Sequence, residues 1–282
     1  MNPGYPIASL AALFWGGADF LGGLAAKRAP APLVTCFAGF GGLAVTLAGM
    51  AVFPGSPTRA DLAWGAAAGA FGAASASLMY QALALGPMSL ASPVFSLIGL
   101  CVPVIVGVGL GERPSLVSWA GVGLAMLAIP LLSRTAEGPG HHSRAHVRRT
   151  LGVSIAAGLV VGWFLVCLAR ISEGAGLLPL VAARLSGMAV LAAWIAGRHR
   201  DWLRIPEPWK TSLTTGALDS TANLAFVLAA QRAPLVLVSA LVSLAPAATV
   251  LFARLTLGER WTLAQVVGLG LALVAGACIS VG

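Results

Sequence analysis

Ten stretches of this chain are each apolar over the length that crosses a lipid bilayer. They lie near residues 5–26, 33–53, 62–85, 88–110, 115–133, 151–169, 176–197, 209–230, 235–253 and 261–281. A hydrocarbon core of about 30 Å and a helical rise of ~1.5 Å per residue require about 20 such residues per span. The third and fourth stretches are separated only by Leu85-Gly86-Pro87-Met88, where the Gly-Pro pair stops a helix. Strands of a membrane barrel would alternate apolar and polar residues, and these stretches do not. Backbone groups in lipid must bond within their own segment. The expectation is an all-α membrane protein of ten transmembrane helices. Its solvent is the lipid bilayer, and its place is a multi-pass position in the cell (inner or plasma) membrane. Charged residues make up only 9% of the chain, against about 25% in a soluble domain.

The chain also repeats itself. A shift of 147 residues lays "LGERPSLVSWAGVGLAMLAIPLLS" (110–133) on "LGERWTLAQVVGLGLALVAGACIS" (257–280), with eleven of 24 positions identical. Gly111, Glu112 and Arg113 fall on Gly258, Glu259 and Arg260. The same shift lays Pro32 on Pro179 and Pro87 on Pro234, and a shift of 148 lays Trp15 on Trp163. The unit is five helices used twice: residues 1–133 and 151–282, joined by a basic linker at 134–150. Five is odd, so the second unit starts on the opposite side of the membrane from the first. That is an inverted-topology repeat, a ground plan of secondary transporters with substrate bound near the midplane between the halves.

The formal charge of +8 suggests nucleic acid at first sight. The basic residues are instead spread over the connections, where membrane proteins keep orientation signals, so no nucleic-acid partner is expected. One side collects Lys27, Arg28, Arg134, Arg144, Arg148, Arg149, Arg198, Arg200, Arg204, Lys210, Arg254 and Arg260, and the other only Arg59, Arg113, Arg170 and Arg232. The positive-inside rule places the richer side in the cytoplasm and both termini outside. The first stretch lacks a basic n-region and contains Asp19, so it reads as a retained span and not a cleaved leader. Cys36, Cys101, Cys167 and Cys278 form no CxxC pair and read as small packing residues. His141, His142 and His146 sit in the polar linker without the further ligands or rigid frame that zinc needs. No metal or cofactor is expected.

These features together resemble the drug/metabolite transporter superfamily, and within it the ten-helix EamA-type carriers. The resemblance rests on Phe14-Trp15-Gly16, on Pro179 with Arg184, and on the two "LGER" turns, each followed by a Gly-rich last helix. It implies a carrier, and it implies cytoplasmic termini, opposite to the charge count. A second likeness lies in "ADFLGGLAAK" (18–27), similar to the first helix of the small multidrug resistance proteins. Ala18, Gly22 and Lys27 match that pattern, and Asp19 stands where that family has a glutamate that alternately holds protons and cationic substrate. The second repeat has only Val166 or Cys167 at the equivalent place. The likeness therefore implies one coupling carboxylate at most.

Charges at bilayer depth cost at least ~2.5–3.5 kcal/mol on insertion scales and persist where paired, hydrated or functional. Three lie well inside stretches: Asp19, Arg184 and Asp219. Arg184 and Asp219 sit near the middle of consecutive antiparallel helices and can meet, either as a structural ion pair or with Arg184 receiving a substrate carboxylate. Asn223 follows Asp219 by one turn on the same face, where it bonds substrate or joins helices. Two acids and one base leave Asp19 without an obvious partner, a setting suited to exchanging a proton for substrate; a neutral Asp bonded to a neighbouring helix is the plainer alternative. Trp15 and Trp163 read as core packing or as an aromatic cavity wall, and Tyr80 as a cavity or interface residue.

Glu112 and Glu259 each open a helix, where a carboxylate suits the positive end of the macrodipole. Pro93, Pro103 and Pro246 are expected to interrupt helices 4 and 9. "GAAAG" (65–69) and "GLVVG" (158–162) have the spacing of close helix approach.

The function these residues imply is secondary transport by alternating access, with export of a small amphipathic, amino-acid-like compound and proton coupling through Asp19 as its fullest form. Export of organic cations is the alternative. No His lies inside a span, and neither HExxH nor GxSxG is present, so an enzyme is not expected. The inverted repeat and the lack of a charged ring argue against a channel, and there is no GxxxxGK[ST] loop for ATP-driven pumping.

Overall fold

Proline sets several of the helix starts. Pro30, Pro208 and Pro234 stand immediately before helices, and Pro32 lies in a first turn, where a missing N–H costs nothing. A computed structural model of the protein describes residues 2–85, 88–132, 144–198, 208–257 and 262–281. Its helices are α1 (Gly4–Ala26), α2 (Ala31–Gly49), α3 (Arg59–Leu85), α4 (Met88–Gly109), α5 (Leu116–Leu132), α6 (Arg144–Ala169), α7 (Leu178–Arg198), α8 (Trp209–Ala230), α9 (Leu235–Val242), α10 (Ala245–Leu257) and α11 (Leu263–Val281). No strand occurs among the described residues.

Nine of the ten stretches form one helix each. The ninth is broken into α9 and α10 at Ser243–Leu244, just before Pro246. Pro246 brings no N–H to the Val242 carbonyl and stands in the first turn of α10, where a missing donor is tolerated. The expected interruption of helix 4 does not occur: α4 runs unbroken past both Pro93 and Pro103. α6 also begins earlier than the hydropathy suggests, so Arg144–Thr150, placed in the linker from sequence, are helical. The rest of that linker lies outside the described residues, as do Glu259 and the side chain of His146.

Among the described residues, seven segments are long and apolar enough to cross a membrane, with α9 and α10 together counted as one. α8 is not among them, because it carries Lys210, Asp219, Asn223 and a run of Ser and Thr. Packing supplies what its composition lacks: α8 lies against both α1 and α2. Several of its hydroxyls turn back onto their own helix, as Thr215 does to the Thr211 carbonyl and Thr221 to that of Ala217.

The two halves exchange their packing partners. α1 packs on α8 as α6 packs on α3, α2 packs on α8 as α7 packs on α3, and α4 packs on α6 as the α9–α10 pair packs on α1. The contacts α2–α7, α5–α11 and α4–α9 map onto themselves and mark the pseudo-two-fold axis. With five spans per half, that axis lies in the membrane plane, as the inverted repeat requires. The termini and residues 50–58, 110–115, 170–177 and 231–234 then share one face, called here the termini face.

Small residues make the cross-half contacts close. Gly41 and Gly216 bring α2 and α8 together, each against a backbone carbonyl of the other helix, that of Leu213 and that of Ala38. The symmetry-related pair behaves alike: Gly65 and Gly69 of "GAAAG" lie on the carbonyls of Pro179 and Ala183 in α7. Gly158 and Gly162 of "GLVVG" fit against α4 at Ile98 and Val102. The four cysteines are free.

Candidate functional site

A cavity of about 320 Å³ opens between the halves and takes lining residues from both repeats. Its walls are mainly apolar. Trp15 and Phe164 meet edge to face with ring centroids 6.4 Å apart, and Phe95, Met79 and Met188 join them. Ser243 and Pro246, at the break between α9 and α10, also reach the cavity.

Three helices converge on one carboxylate. Arg184, from α7, donates from Nη2 to Asp219 Oδ2 at 2.5 Å. Trp15, from α1, donates its indole N–H to Asp219 Oδ1 at 3.0 Å. Asn223, one turn along α8, donates from Nδ2 to Oδ2 at 3.3 Å. Asn223 is 5% exposed and its Oδ1 has no partner. Asp219 is about one-third exposed and Arg184 half as much, so the pair sits at the cavity wall and not in sealed core. Among the described residues Asp219 is the guanidinium's one hydrogen-bond partner, which engages one of its five N–H donors.

Asp19 follows Trp15 by one turn on α1. Its carboxylate is open to the cavity and no hydrogen bond or ion pair satisfies it among the described residues. The cavity thus presents one unpaired carboxylate, one carboxylate bound to a guanidinium, and N–H donors of that guanidinium left over.

Of the residues singled out from sequence, Trp15, Asp19, Arg184, Asp219 and Asn223 all line this cavity. Trp163 does not. Its ring is about half exposed on the outside of α6, and the adjacent Phe164 takes the inward position facing Trp15. The shift of 148 matched residue types but missed the helix face by one residue, a rotation of about 100°. Tyr80 lies late in α3 at a position whose side chain is outside the described residues. The sequence reading passed over Phe164, Met79, Met188, Thr35 and Thr215, ordinary apolar or hydroxyl residues that only tertiary packing brings to the cavity.

The comparisons with known proteins agree with this architecture. The model of a family described as "EamA-like transporter family" matches twice, over residues 2–134 and 149–281. A solved structure described only as "Crystal structure of protein" superposes with a TM-score of 0.80 at 20% identity, covering 99% of this chain and 96% of that one. At that identity the likeness speaks for the fold alone. No curated protein matches the sequence.

Proposed function

The chain belongs to the EamA-like transporter family, a family of multi-pass membrane transporters of small molecules, and from that premise we propose that it is a secondary carrier for a small amphipathic compound of the amino-acid type, exported in exchange for protons. The observation that carries the reading is the division of charge in the cavity. Asp19 is unpaired, while Arg184 spends a single N–H on Asp219. A zwitterion fits that division: its ammonium goes to Asp19, its carboxylate to the remaining guanidinium donors, and its side chain to the wall of Trp15, Phe164 and the methionines. Bidentate guanidinium–carboxylate contacts give this pairing direction as well as charge. Asp19 can hold a proton or the substrate's ammonium, and one group serving both in turn is sufficient for antiport.

The cavity extends toward the face opposite the termini, reaching Val34 and Thr35 in the first turn of α2. The charge count puts that face in the cytoplasm, and loading from there supports export.

The test is transport in proteoliposomes. Wild-type protein should give saturable uptake of apolar amino acids driven by a pH gradient, together with counterflow. Asp19→Asn should fold and lose the gradient-driven component. Normal gradient-driven transport by Asp19→Asn across a range of pH would remove the assignment.

The net charge of the cavity favours a second reading. Two carboxylates against one guanidinium suit an organic cation with an apolar body. Thermal stabilisation by an amino acid compared with the amine lacking its carboxylate separates the two readings. The zwitterion reading expects the amino acid to stabilise more and Arg184→Gln to abolish its advantage.

A further inference from the structure

Among the described residues, several contacts tie the two halves together at the termini face. Asn2 donates to the Arg232 carbonyl at 2.8 Å. The Ser56 N–H bonds the Gly174 carbonyl at 3.0 Å. Arg170 lies over the Trp64 ring, 5.8 Å from its centroid. Glu112 accepts the N–H groups of Leu235 and Val236. Asp61 completes the set and is 2% exposed. Its two oxygens do different work. Oδ2 accepts the N–H and hydroxyl of Thr58 at 2.8 and 2.6 Å, closing a capping box at the start of α3 with the bond from the Asp61 N–H to Thr58 Oγ1. Oδ1 reaches into the other half and accepts both the N–H and the hydroxyl of Ser172, each at 2.8 Å. Gln231 braces the same connection by donating to the Ser172 carbonyl at 3.1 Å.

Beneath this rim lies an apolar plug. All eight residues of α9 are buried, and Phe226, Leu168, Val236 and Val238 are closed off completely. The cavity meets this plug at Val242, the last residue of α9, and goes no further: no lining residue falls in the helical turn nearest the termini face.

We propose that the termini face is the shut gate of the transport cycle and that Asp61 is the residue that latches it, its Oδ1 holding the α6–α7 connection of the second half against the start of α3 in the first. The proposal rests on the carrier reading. Opening at this face breaks the two bonds from Ser172 and the Ser56–Gly174 bond, while the Thr58 capping box stays intact. Among the described residues the Asp61 side chain hydrogen-bonds only Thr58 and Ser172, neither of which lines the cavity, so it acts on access and not on substrate.

The partition between the two oxygens supplies the experiment. Spin labels at Val52 and Glu173 report the width of the termini face, and labels at Arg28 and Leu255 report the opposite face, in chains whose four cysteines are replaced by alanine. Distances are measured by pulsed electron–electron resonance without added ligand. Asp61→Asn should raise the population of a longer Val52–Glu173 distance severalfold, and the Arg28–Leu255 distance should shorten in the same preparation. Ser172→Ala, which removes one cross-half bond and leaves the cap, should shift both distances the same way to a smaller degree. Thr58→Ala, which removes the two hydroxyl bonds of the cap and leaves the residue-58 N–H bond and the cross-half bonds, should keep the wild-type distances.

Unchanged distances in Asp61→Asn would overturn the proposal. So would a termini face that loosens with no response opposite, or an equal shift in Thr58→Ala. If Asp61→Asn does not fold, Ser172→Ala decides by itself, and an absence of shift there counts against the latch. Coupled distances with no counterflow by the wild-type protein would retain the latch and reject the carrier reading.

Discussion

The carboxylate of Glu112, between α4 and α5, accepts the backbone N–H of Leu235 at 2.6 Å, and its second oxygen accepts that of Val236 at 2.8 Å. The helix it caps is α9 of the other half, not the α5 that follows it in sequence. The free N–H groups at a helix start need an acceptor, and Pro234 at the α9 cap has no side-chain oxygen to offer. The first "LGER" turn therefore serves the opposite repeat, a role that sequence position alone does not reveal.

Removing that acceptor should cost stability. Glu112→Ala leaves two N–H groups at the head of a fully buried helix without partners, and each buried unsatisfied group costs about 1–3 kcal/mol. Glu112→Gln retains one carbonyl oxygen and should lose less. Thermal unfolding in one detergent should rank wild type, Glu112→Gln and Glu112→Ala in descending order. Equal midpoints for all three would show that the cap contributes nothing.

Asp19 should behave in the opposite way. Among the described residues it makes no hydrogen bond or ion pair that a substitution could break, and an intramembrane carboxylate is a cost to the fold. Asp19→Asn is therefore expected to match or exceed the wild-type unfolding midpoint while losing gradient-driven transport. A fall of several degrees would mean that the side chain holds structure together.

How much of this was legible beforehand follows from the range of each signal. Ten spans and the five-helix unit were readable because bilayer thickness and duplication act along the chain. The meeting of Arg184 with Asp219 was readable because both sit mid-span on consecutive helices. The third member of that cluster was not: Trp15 reaches Asp219 across 204 residues, and no local pattern encodes the encounter. Asp61 shows the boundary within one side chain. Thr58-x-x-Asp61 is a capping pattern visible in sequence, whereas the Ser172 contact depends on how the halves dock. Trp163 marks the same limit, since one residue of register decides whether an α6 side chain faces Phe164's cavity or the outside.

The Arg184–Asp219 pair calls for a double-mutant cycle. Taking away one partner of a buried pair leaves the other charge uncompensated, at about 3–5 kcal/mol when burial is complete and less here because both groups border the cavity. Arg184→Met and Asp219→Asn should each lower the unfolding midpoint. The double variant should lie above the sum of the two losses, since it leaves no orphan charge. Simple additivity would mean that the 2.5 Å contact carries no net coupling.

The close approach of α2 and α8 makes the last prediction. A Cβ at Gly216 would run into the Ala38 carbonyl, and one at Gly41 into that of Leu213. Backbone cannot rotate aside as a side chain does, so the two helices must separate. Overpacking of this kind costs about 1–3 kcal/mol. Gly216→Ala should thus destabilise the protein, and Gly69→Ala should do the same where α3 meets the Ala183 carbonyl of α7. Gly123→Ala is the control, because a Cβ there meets nothing within 4 Å and alanine has the better helix propensity. Unfolding midpoints should fall for the first two and hold or rise for the third. Equal behaviour of all three would mean that the halves do not dock through these glycines.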